Sequence, residues 1–454
     1  MIRARLAPLS LVLLAGCNMA SPYIRPTPPV PAALPIGESY APQTDAKAGL
    51  PWTQLVQDAR LTTIIQRALS GNRDLRAALA NVDAARAQYR IQRAAQLPTI
   101  TADAGASFSR RNDIRQDSYS ADVGFSAFEI DLFGRLRNLS EAALQSYLAT
   151  EEGARATRIA LIAETATAYA TLAADQDQLA LSRQTQASAQ RTLDLVRSLN
   201  AAGLAGKLDV RQAETTVEQA ASDVAATVTQ VAQDRNALDL LAGAPVEDAL
   251  LPVSLDALTR TIAKVPAGVS SEVLLQRPDV LQAEHQLQAA NANVGAARAA
   301  FFPRISLTSA IGVASSALSS LFSGGAFSWS ASPSASLPVF GGPNRGNLAY
   351  SKAQRDLYLA QYEKAVQTAF QEVADALARE GTIDAQQAAQ RRLVAASRQA
   401  YELADQRYRA GIDTFLTALT SQRSLYNAQQ SAIATDLQLV SNRIRLYRVF
   451  GADQ

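Results

Sequence analysis

The chain has 454 residues, 48% hydrophobic and 19% charged, with 43 basic against 41 acidic side chains, one cysteine and one histidine. A near-neutral chain without a basic run has no electrostatic footprint for nucleic acid, and one cysteine allows neither an internal disulfide nor a thiolate zinc site. His285 sits in LQAEHQLQAAN, on the polar face of a helical pattern, and is expected to be a solvated imidazole rather than part of a Ser-His-Asp, Cys-His or multi-histidine site. The glycine-rich stretches FSGGAF and VFGGPNRGN lack the spacing and lysine of a phosphate loop. No enzyme chemistry, cofactor or metal is expected.

In chain order, Arg3 and Arg5 precede an apolar run from Leu6 to Leu14, then Ala15-Gly16 and the lone Cys17. That run is too short to cross a bilayer as a helix and has the layout of an export signal over 1–16. Small residues at both positions before Cys17 resemble a lipobox, which implies S-diacylglycerol and N-acyl (palmitoyl) modification of Cys17 after cleavage. A buried structural cysteine behind a plain signal peptide is the alternative. Each buried methylene contributes about 0.8 kcal/mol, so two or more chains anchor a protein stably. By resemblance to lipoprotein sorting, Asn18 directs the chain to the outer membrane. Residues 17–51 then form a proline-rich stretch, with Pro22, Pro26, Pro28, Pro29, Pro31 and Pro35, expected to be an extended, semi-rigid tether rather than a packed element.

The rest of the chain states its pattern twice. Aligning 72–101 with 277–306 places Asp74 on Asp279, Ala78 on Ala283, Arg93-Ala94-Ala95 on Arg298-Ala299-Ala300, and Pro98 and Ile100 on Pro303 and Ile305. Further on, Phe133-Gly134 matches Phe340-Gly341, Gly203 and Leu208 match Gly411 and Leu416, and Ala242-Gly243 matches Phe450-Gly451. The offset stays between 205 and 208, which short matches in alanine-rich helices would not sustain. The expected organisation is a first repeat over 52–243, a connector over 244–270 and a second repeat over 271–451. Each repeat reads helix, two strands and a long helix hairpin.

Strands are expected at about 99–109 and 118–130, and at about 304–314 and 326–339. In the first repeat Tyr119, Ala121, Val123, Phe125 and Ala127 alternate with polar or small residues; in the second Phe327, Trp329, Ala331, Ala335 and Leu337 alternate with serines. Apolar-out, polar-in stretches of about ten residues suit a membrane-spanning strand, although a half-buried strand in a soluble sheet shows the same period. Four strands cannot close, and a spanning sheet tolerates no free edge. Several chains must therefore share one barrel. The stretches 109–117 and 315–325 read as water-facing loops.

The helix hairpins are expected at about 138–242 and 344–449, because Gly153 and Gly381 are the only glycines and there is no proline over 138–199 and 347–410. A helix of about 60 residues spans roughly 90 Å. The returning helices carry heptad-like seams, Val210, Ala213, Val217, Ala220, Val224, Val231, Leu238 and Leu241 in one, and Ile433, Leu437, Val440, Ile444 and Tyr447 in the other. Gly203 and Gly411 mark the hairpin turns, the tips furthest from the membrane.

Two stretches, 50–79 and LLQRPDVLQAEHQLQAANANVGAARAAFFPRISLT at 274–308, resemble the signatures of TolC-like outer-membrane efflux proteins, and the lipobox points to the lipoprotein subgroup of RND efflux systems, the NodT or OprM-like group. The resemblance covers 17–451. It implies a mainly α fold with membrane strands: a homotrimer whose four strands per chain make a twelve-stranded barrel, a long periplasmic helical barrel, and an equatorial belt near 244–270. It implies a passive outer-membrane exit duct coupled through a periplasmic adaptor (membrane fusion protein) to an inner-membrane RND transporter, with contact at the tips Gly203 and Gly411. The family's periplasmic gate pattern runs Leu, an acid four residues on, and Arg three beyond; here those places hold Leu416, Thr420 and Arg423. Thr420 cannot carry the implied ring of negative charge. Leu416 is expected to form an apolar constriction, Arg423 to pair with an acid on a neighbouring helix, and Asp209 and Arg211 to offer a polar closure at the first turn. Two other readings stand beside the efflux duct: a duct for type I protein or peptide secretion, and a lipid-anchored coiled-coil scaffold that conducts nothing.

Overall fold

A computed structural model describes residues 18–40, 50–112, 114–266, 270–340 and 342–451; the expected signal and Cys17 lie outside the described residues. The elements run α1 (Trp52–Leu55), α2 (Ala59–Gly71), α3 (Arg73–Ala94), β1 (Thr101–Arg111), β2 (Ile114–Ile130), α4 (Arg135–Ala201), α5 (Lys207–Ala242), α6 (Leu255–Thr261), α7 (Pro278–Ala299), β3 (Arg304–Ser315), β4 (Phe327–Ser336), α8 (Asn344–Arg409) and α9 (Phe415–Phe450). The two hairpins match closely: α4 and α8 have 67 and 66 residues, α5 and α9 have 36 each. Among the described residues no helix is long and apolar enough to cross a membrane. The chain divides into two compact units, one holding the tail up to Pro28, Ala80–Glu152 and Leu281–Ala365, the other Pro29–Leu79, Gly153–Val280 and the chain from Val366 onward.

The first unit is built on a four-stranded antiparallel sheet in the order β1-β2-β3-β4. Its register sorts the side chains by chemistry. Ala104 lies opposite Ala121, Ala121 opposite Val313 and Val313 opposite Phe327; Phe125 lies opposite Ser309, and Ile311 opposite Trp329. On the other face Ser107 opposes Ser118, Asp103 opposes Asp122, and Ser306, Thr308 and Gly312 oppose Ser334, Ser332 and Ser328. One face is thus mainly apolar and the other mainly polar along all four strands, since alternate residues of a strand point to opposite sides. Gly124 and Gly312 let β2 and β3 close up on the polar side: a Cβ at either would fall within 2.3 Å of a carbonyl oxygen across the ladder.

Strict alternation does not hold to the end of β2. Between Phe125 and Phe128 the register slips by one, and Ala127 sits at φ 53° with its N–H donating to the Thr308 hydroxyl at 3.0 Å. Ala127 therefore leaves the apolar row in which the alternation placed it. The extra residue reverses the parity, so Phe128 and Ile130, at even positions, join Tyr119, Ala121 and Val123, at odd ones. Glu129 turns to the polar side, where its carboxylate accepts from Arg135 at 2.8 and 2.7 Å and pairs with Arg304 at 3.3 Å. That ion cluster ties β2, β3 and the start of α4 at the foot of the sheet. Beyond the strand ends Phe133 stacks on Phe302, ring centroids 4.7 Å apart. The expected loop at 109–117 is much shorter, because β1 continues to Arg111 and β2 begins at Ile114; charged side chains are tolerated where a hairpin stands in water.

The tail is not the free tether its prolines suggest. Arg25 donates to both oxygens of Glu284 at 2.8 and 2.6 Å, Tyr23 donates to the same carboxylate at 3.2 Å, Asn291 donates to the Ser21 carbonyl at 3.0 Å, and Arg298 donates to the Ser21 hydroxyl at 2.9 Å. Ala20 rests on Gly295, where an added Cβ would lie 2.5 Å from its methyl. Proline keeps the backbone extended, and α7 supplies the polar partners that an extended chain lacks within itself. His285, on α7, is likewise not solvated: its Nδ1 meets the Gln145 side-chain oxygen at 2.7 Å and the residue is half-buried.

The second unit is helical. Both hairpin turns close by one device: Gly203 and Gly411 take φ 73° and 71°, the N–H of Leu204 reaches the Leu199 carbonyl, and that of Ile412 reaches Arg407. These six-to-one bonds, with Gly203 to Asn200 and Gly411 to Tyr408, satisfy the last carbonyls of each long helix. The seam residues Ala213, Val217, Ala220 and Leu238 are buried, as are Val440, Ile444 and Tyr447. The connector folds onto them: Val56 pairs with Ile262 as a bridge, and Arg443 of α9 donates to the Thr259 and Ile262 carbonyls at 3.3 and 2.9 Å. Residues 31–34 also dock in this unit, Ala33 bridging Ser270 and Leu34 being buried.

One buried polar node is Arg277, whose side chain is 7% exposed. It donates to Asp279 at 3.0 and 2.7 Å, to Glu372 at 2.7 Å and to the Val449 carbonyl at 3.0 Å, joining the start of α7, α8 and the end of α9. Arg277→Ala leaves the buried Val449 carbonyl without its donor and two partly exposed carboxylates without their guanidinium, and is expected to cost about 1–3 kcal/mol. Thermal unfolding of the purified protein in detergent checks this; a midpoint equal to wild type contradicts it.

Candidate functional site

Three surfaces of this chain carry chemistry suited to conduction: the polar face of the sheet, the hairpin turns, and one face of α9. On α9 the residues Phe415, Leu419 and Gln422 are buried, and Phe415 and Leu419 pack with Ala189, Leu193 and Val196 of α4 and Ala213 and Val217 of α5. Leu416, Thr420 and Arg423 lie one position further round at four-then-three spacing, and all three are exposed, Leu416 by 56%. The helix therefore presents them together and leaves them uncovered by the second unit. Arg423 makes no ion pair with an acid of its own chain among the described residues; it lines a cavity of about 570 Å³ with Asp223, Tyr426 and Gln219. There the Tyr426 hydroxyl donates to Asp223 at 3.0 Å and meets the Ser182 hydroxyl at 3.1 Å, linking α4, α5 and α9.

Asp209 and Arg211 are engaged locally. Asp209 accepts from the Gly206 N–H at 3.1 Å and so caps the start of α5. Arg211 pairs with Glu214 at 2.6 Å, and Arg197 pairs with the same carboxylate at 3.0 Å. Arg197 first, and Arg211 second, hold the Glu214 carboxyl below the usual range. Around the turns, Leu204, Leu208 and Ile412 are bare, and a Cβ at Gly203 or Gly411 would meet nothing within 4 Å.

One acid pair was not visible in the sequence. Asp175 of α4 and Asp234 of α5 face each other, and burial, then hydrogen bonding and repulsion from Asp234, push the Asp175 carboxyl up to about 7. Asp234 borders a cavity that Glu164 of α4 and Arg445 and Arg448 of α9 also line. The two acids are 59 residues apart on different helices, a separation that no local pattern reports. Neither motif nor spacing marked Tyr426, Arg277 or the tail seat. For the seat a signal existed: Glu284 and Gly295 stand where the first repeat has Leu79 and Arg90.

Residues 64–244 and 269–452 match the family described as outer membrane efflux protein. The chain belongs to that family. It is accordingly an outer-membrane efflux channel with a periplasmic helical extension and not an enzyme, and a non-conducting scaffold is set aside. This outer membrane efflux protein is 44% identical over 452 residues to the toluene efflux pump outer membrane protein TtgC of Pseudomonas putida, covering 97% of this chain and 93% of that protein. It is 41% identical over 458 residues to the outer membrane protein OprJ of Pseudomonas aeruginosa, covering 98% and 94%. Its fold superposes on the open state of the MtrE outer membrane channel of Neisseria gonorrhoeae with a TM-score of 0.86 at 36% identity, covering 96% of this chain and 98% of that one. In such a channel the polar sheet face is the one that meets water.

The acid pair gives a pH dependence whose sign is fixed. Folded, Asp175 keeps its proton up to about pH 7; unfolded, it releases it near pH 4, so stability falls as pH rises through that window and is level above it. Asp175→Asn removes this loss. Its melting temperature is expected to exceed wild type at pH 8 and to match it at pH 4, and a gap that widens towards acid would contradict the assignment.

Proposed function

We propose that this efflux protein works as a lipid-anchored homotrimer, the exit duct of a tripartite RND-type system that receives cargo from a periplasmic adaptor and an inner-membrane transporter. The observation that carries this reading is the sheet of the first unit. Its apolar face is bare, with Phe108, Val123, Ile311, Phe327 and Trp329 all exposed, and among the described residues both β1 and β4 are edges without a partner strand. Unpaired backbone groups cost several kcal/mol each in hydrocarbon, so identical copies must join edge to edge. Three copies of four strands give an even-stranded barrel of ordinary size.

Anchoring at Cys17 is supported by the course of the tail. Asn138, in the first turn of α4 and eight residues after β2 ends, donates to the Asn18 side chain at 2.9 Å. The residue next to Cys17 is thus held beside the strand ends, where acyl chains have hydrocarbon to enter. At the hairpin turns Gly203 and Gly411, the bare Leu204, Leu208 and Ile412 offer a small apolar surface that an adaptor can cover. The exposed row Leu416, Thr420 and Arg423 forms the periplasmic gate: Leu416 narrows the aperture, Thr420 leaves it uncharged at the place of an acid, and Arg423 finds its acid on a neighbouring helix of the assembly, with Asp209 and Arg211 shaping the first turn. A helix end with two arrangements, biased by the adaptor, opens it.

The test is purified protein in planar bilayers. Trimers that conduct ions are expected, and Leu416→Ala is expected to raise the open fraction; a silent monomer overturns the channel assembly, and an unchanged closure removes Leu416 from the gate. Mass spectrometry of the membrane-extracted chain is expected to show acyl groups that Cys17→Ala lacks.

A further inference from the structure

Internal duplication makes one junction of this sheet a template for another. Within the chain, β2 of the first repeat pairs with β3 of the second. The free edges are β4 of the second repeat and β1 of the first, so closure repeats the same kind of junction between copies. We propose its register: in the trimer, on which this inference rests, β4 of one copy lies on β1 of the next with Ser330 opposite Ser107 and Trp329 opposite Phe108, while Phe340 covers Leu97.

The base of the junction supplies the first argument. Phe133 stacks on Phe302 inside the chain, their planes 20° apart. Under the repeat offsets, Phe133 corresponds to Phe340 and Phe302 to Leu97. Both counterparts are bare, Phe340 completely and Leu97 by 69%. An aromatic ring and a leucine left open at the two free edges, at the places where the internal junction holds a closed contact, fit a second copy of this chain.

The ladder supplies the second. Ile130 opposite Ile305 and Phe128 opposite Leu307 translate to Leu337 opposite Ile100 and Ala335 opposite Ala102. The apolar row of β4 runs unbroken at odd positions from Phe327 to Leu337, so the register continues to Ala331 opposite Ala106 and Trp329 opposite Phe108. Apolar then meets apolar from Leu337 to Trp329, with Arg110 facing Phe327 at the outer end, and on the water side Ser328 and Ser330 meet Ser109 and Ser107.

Pro333 supplies the third. The bond from the Ala314 N–H to the Ala326 carbonyl fixes which β3–β4 pairs exchange hydrogen bonds, and Pro333, opposite Leu307, falls on a pair that does not. Its ring nitrogen therefore faces the seam with no hydrogen to give. In the proposed register it lies opposite Ala104, the counterpart of the place where Phe125 meets Ser309 and the β2 ladder slips. Both junctions interrupt their ladder at the same height. The stagger also closes: from Ala104 through Ala121, Val313 and Phe327 the path re-enters β1 at Arg110, six residues further along, a slope that gives strands a tilt of about 45°.

The experiment uses the full-length lipoprotein in outer membranes, with Ser107→Cys combined in turn with Ser328→Cys, Ser330→Cys or Ser332→Cys, and Cys17 kept. All four serines are small and on the polar face, so the variants differ only in register. After mild oxidation, a non-reducing gel is expected to shift to covalent trimer for Ser107→Cys with Ser330→Cys alone. A dominant covalent trimer with Ser328→Cys or Ser332→Cys, or no cross-link in protein that still sediments as a trimer, overturns the register and leaves the trimer standing. Protein that sediments as a monomer in all three pairs overturns both.

Discussion

Backbone N–H and C=O groups have no water to bond with inside a bilayer, and the whole chain answers to that requirement. A helix satisfies it alone, but no described helix here is apolar enough to cross. A sheet satisfies it only when closed, and this sheet has two open edges. The serine-rich face and the aromatic face follow from the same requirement, since a closed sheet has an inside and an outside that meet different solvents. The exposed row on α9 and the bare turns are consistent with it. They are polar, small or modestly apolar surfaces that one copy cannot cover and that need not enter lipid.

Duplication explains why so much of the chain comes in matched pairs. Gly203 and Gly411 end their helices with the same two backbone bonds, and the returning helices are equal in length. The repeats part company where each chain needs something once. Only the second repeat offers Gly295 beneath Ala20 and Glu284 beside Arg25, because the first has Arg90 and Leu79 in those places. An arginine side chain fills the space the tail requires, and a leucine has no charge to receive a guanidinium. One tail therefore finds one seat.

Much of the fold was legible in the sequence because it rests on periodicity and punctuation. Period-two alternation gave the strands, long stretches free of proline and glycine gave the helices, and paired glycines gave the turns. What failed shared a cause. The tether was read from its prolines alone, yet its conformation is extended and its partners lie some 260 residues away on Glu284. His285 read as solvated because Gln145, 140 residues distant, cannot be seen from α7. The candidate gate was legible as a row on one face of α9, since four-three spacing is local; which acid meets Arg423 was not, because no acid of its own chain does so among the described residues. Asp175 and Asp234, or Arg277 and Glu372, belong to the same class of facts, set by helix packing and not by neighbourhood in the chain.

The slip at Ala127 carries a consequence for how such strands are found and how they change. β2 holds two apolar patterns half a period out of phase, joined by one residue at positive φ. A scan that assumes a single phase sees two short, weak segments where there is one strand of 17 residues. Loss of that residue, a change of one codon, would bring Phe128 and Ile130 into one phase with Phe125 and leave both faces as they are. Loss of the slip with the residue kept would instead swing Phe128 and Ile130 into the aqueous lumen and Glu129 into lipid. A single inserted residue in a membrane strand is thus tolerated where a bulge takes it up, and reverses every side chain beyond it where none does.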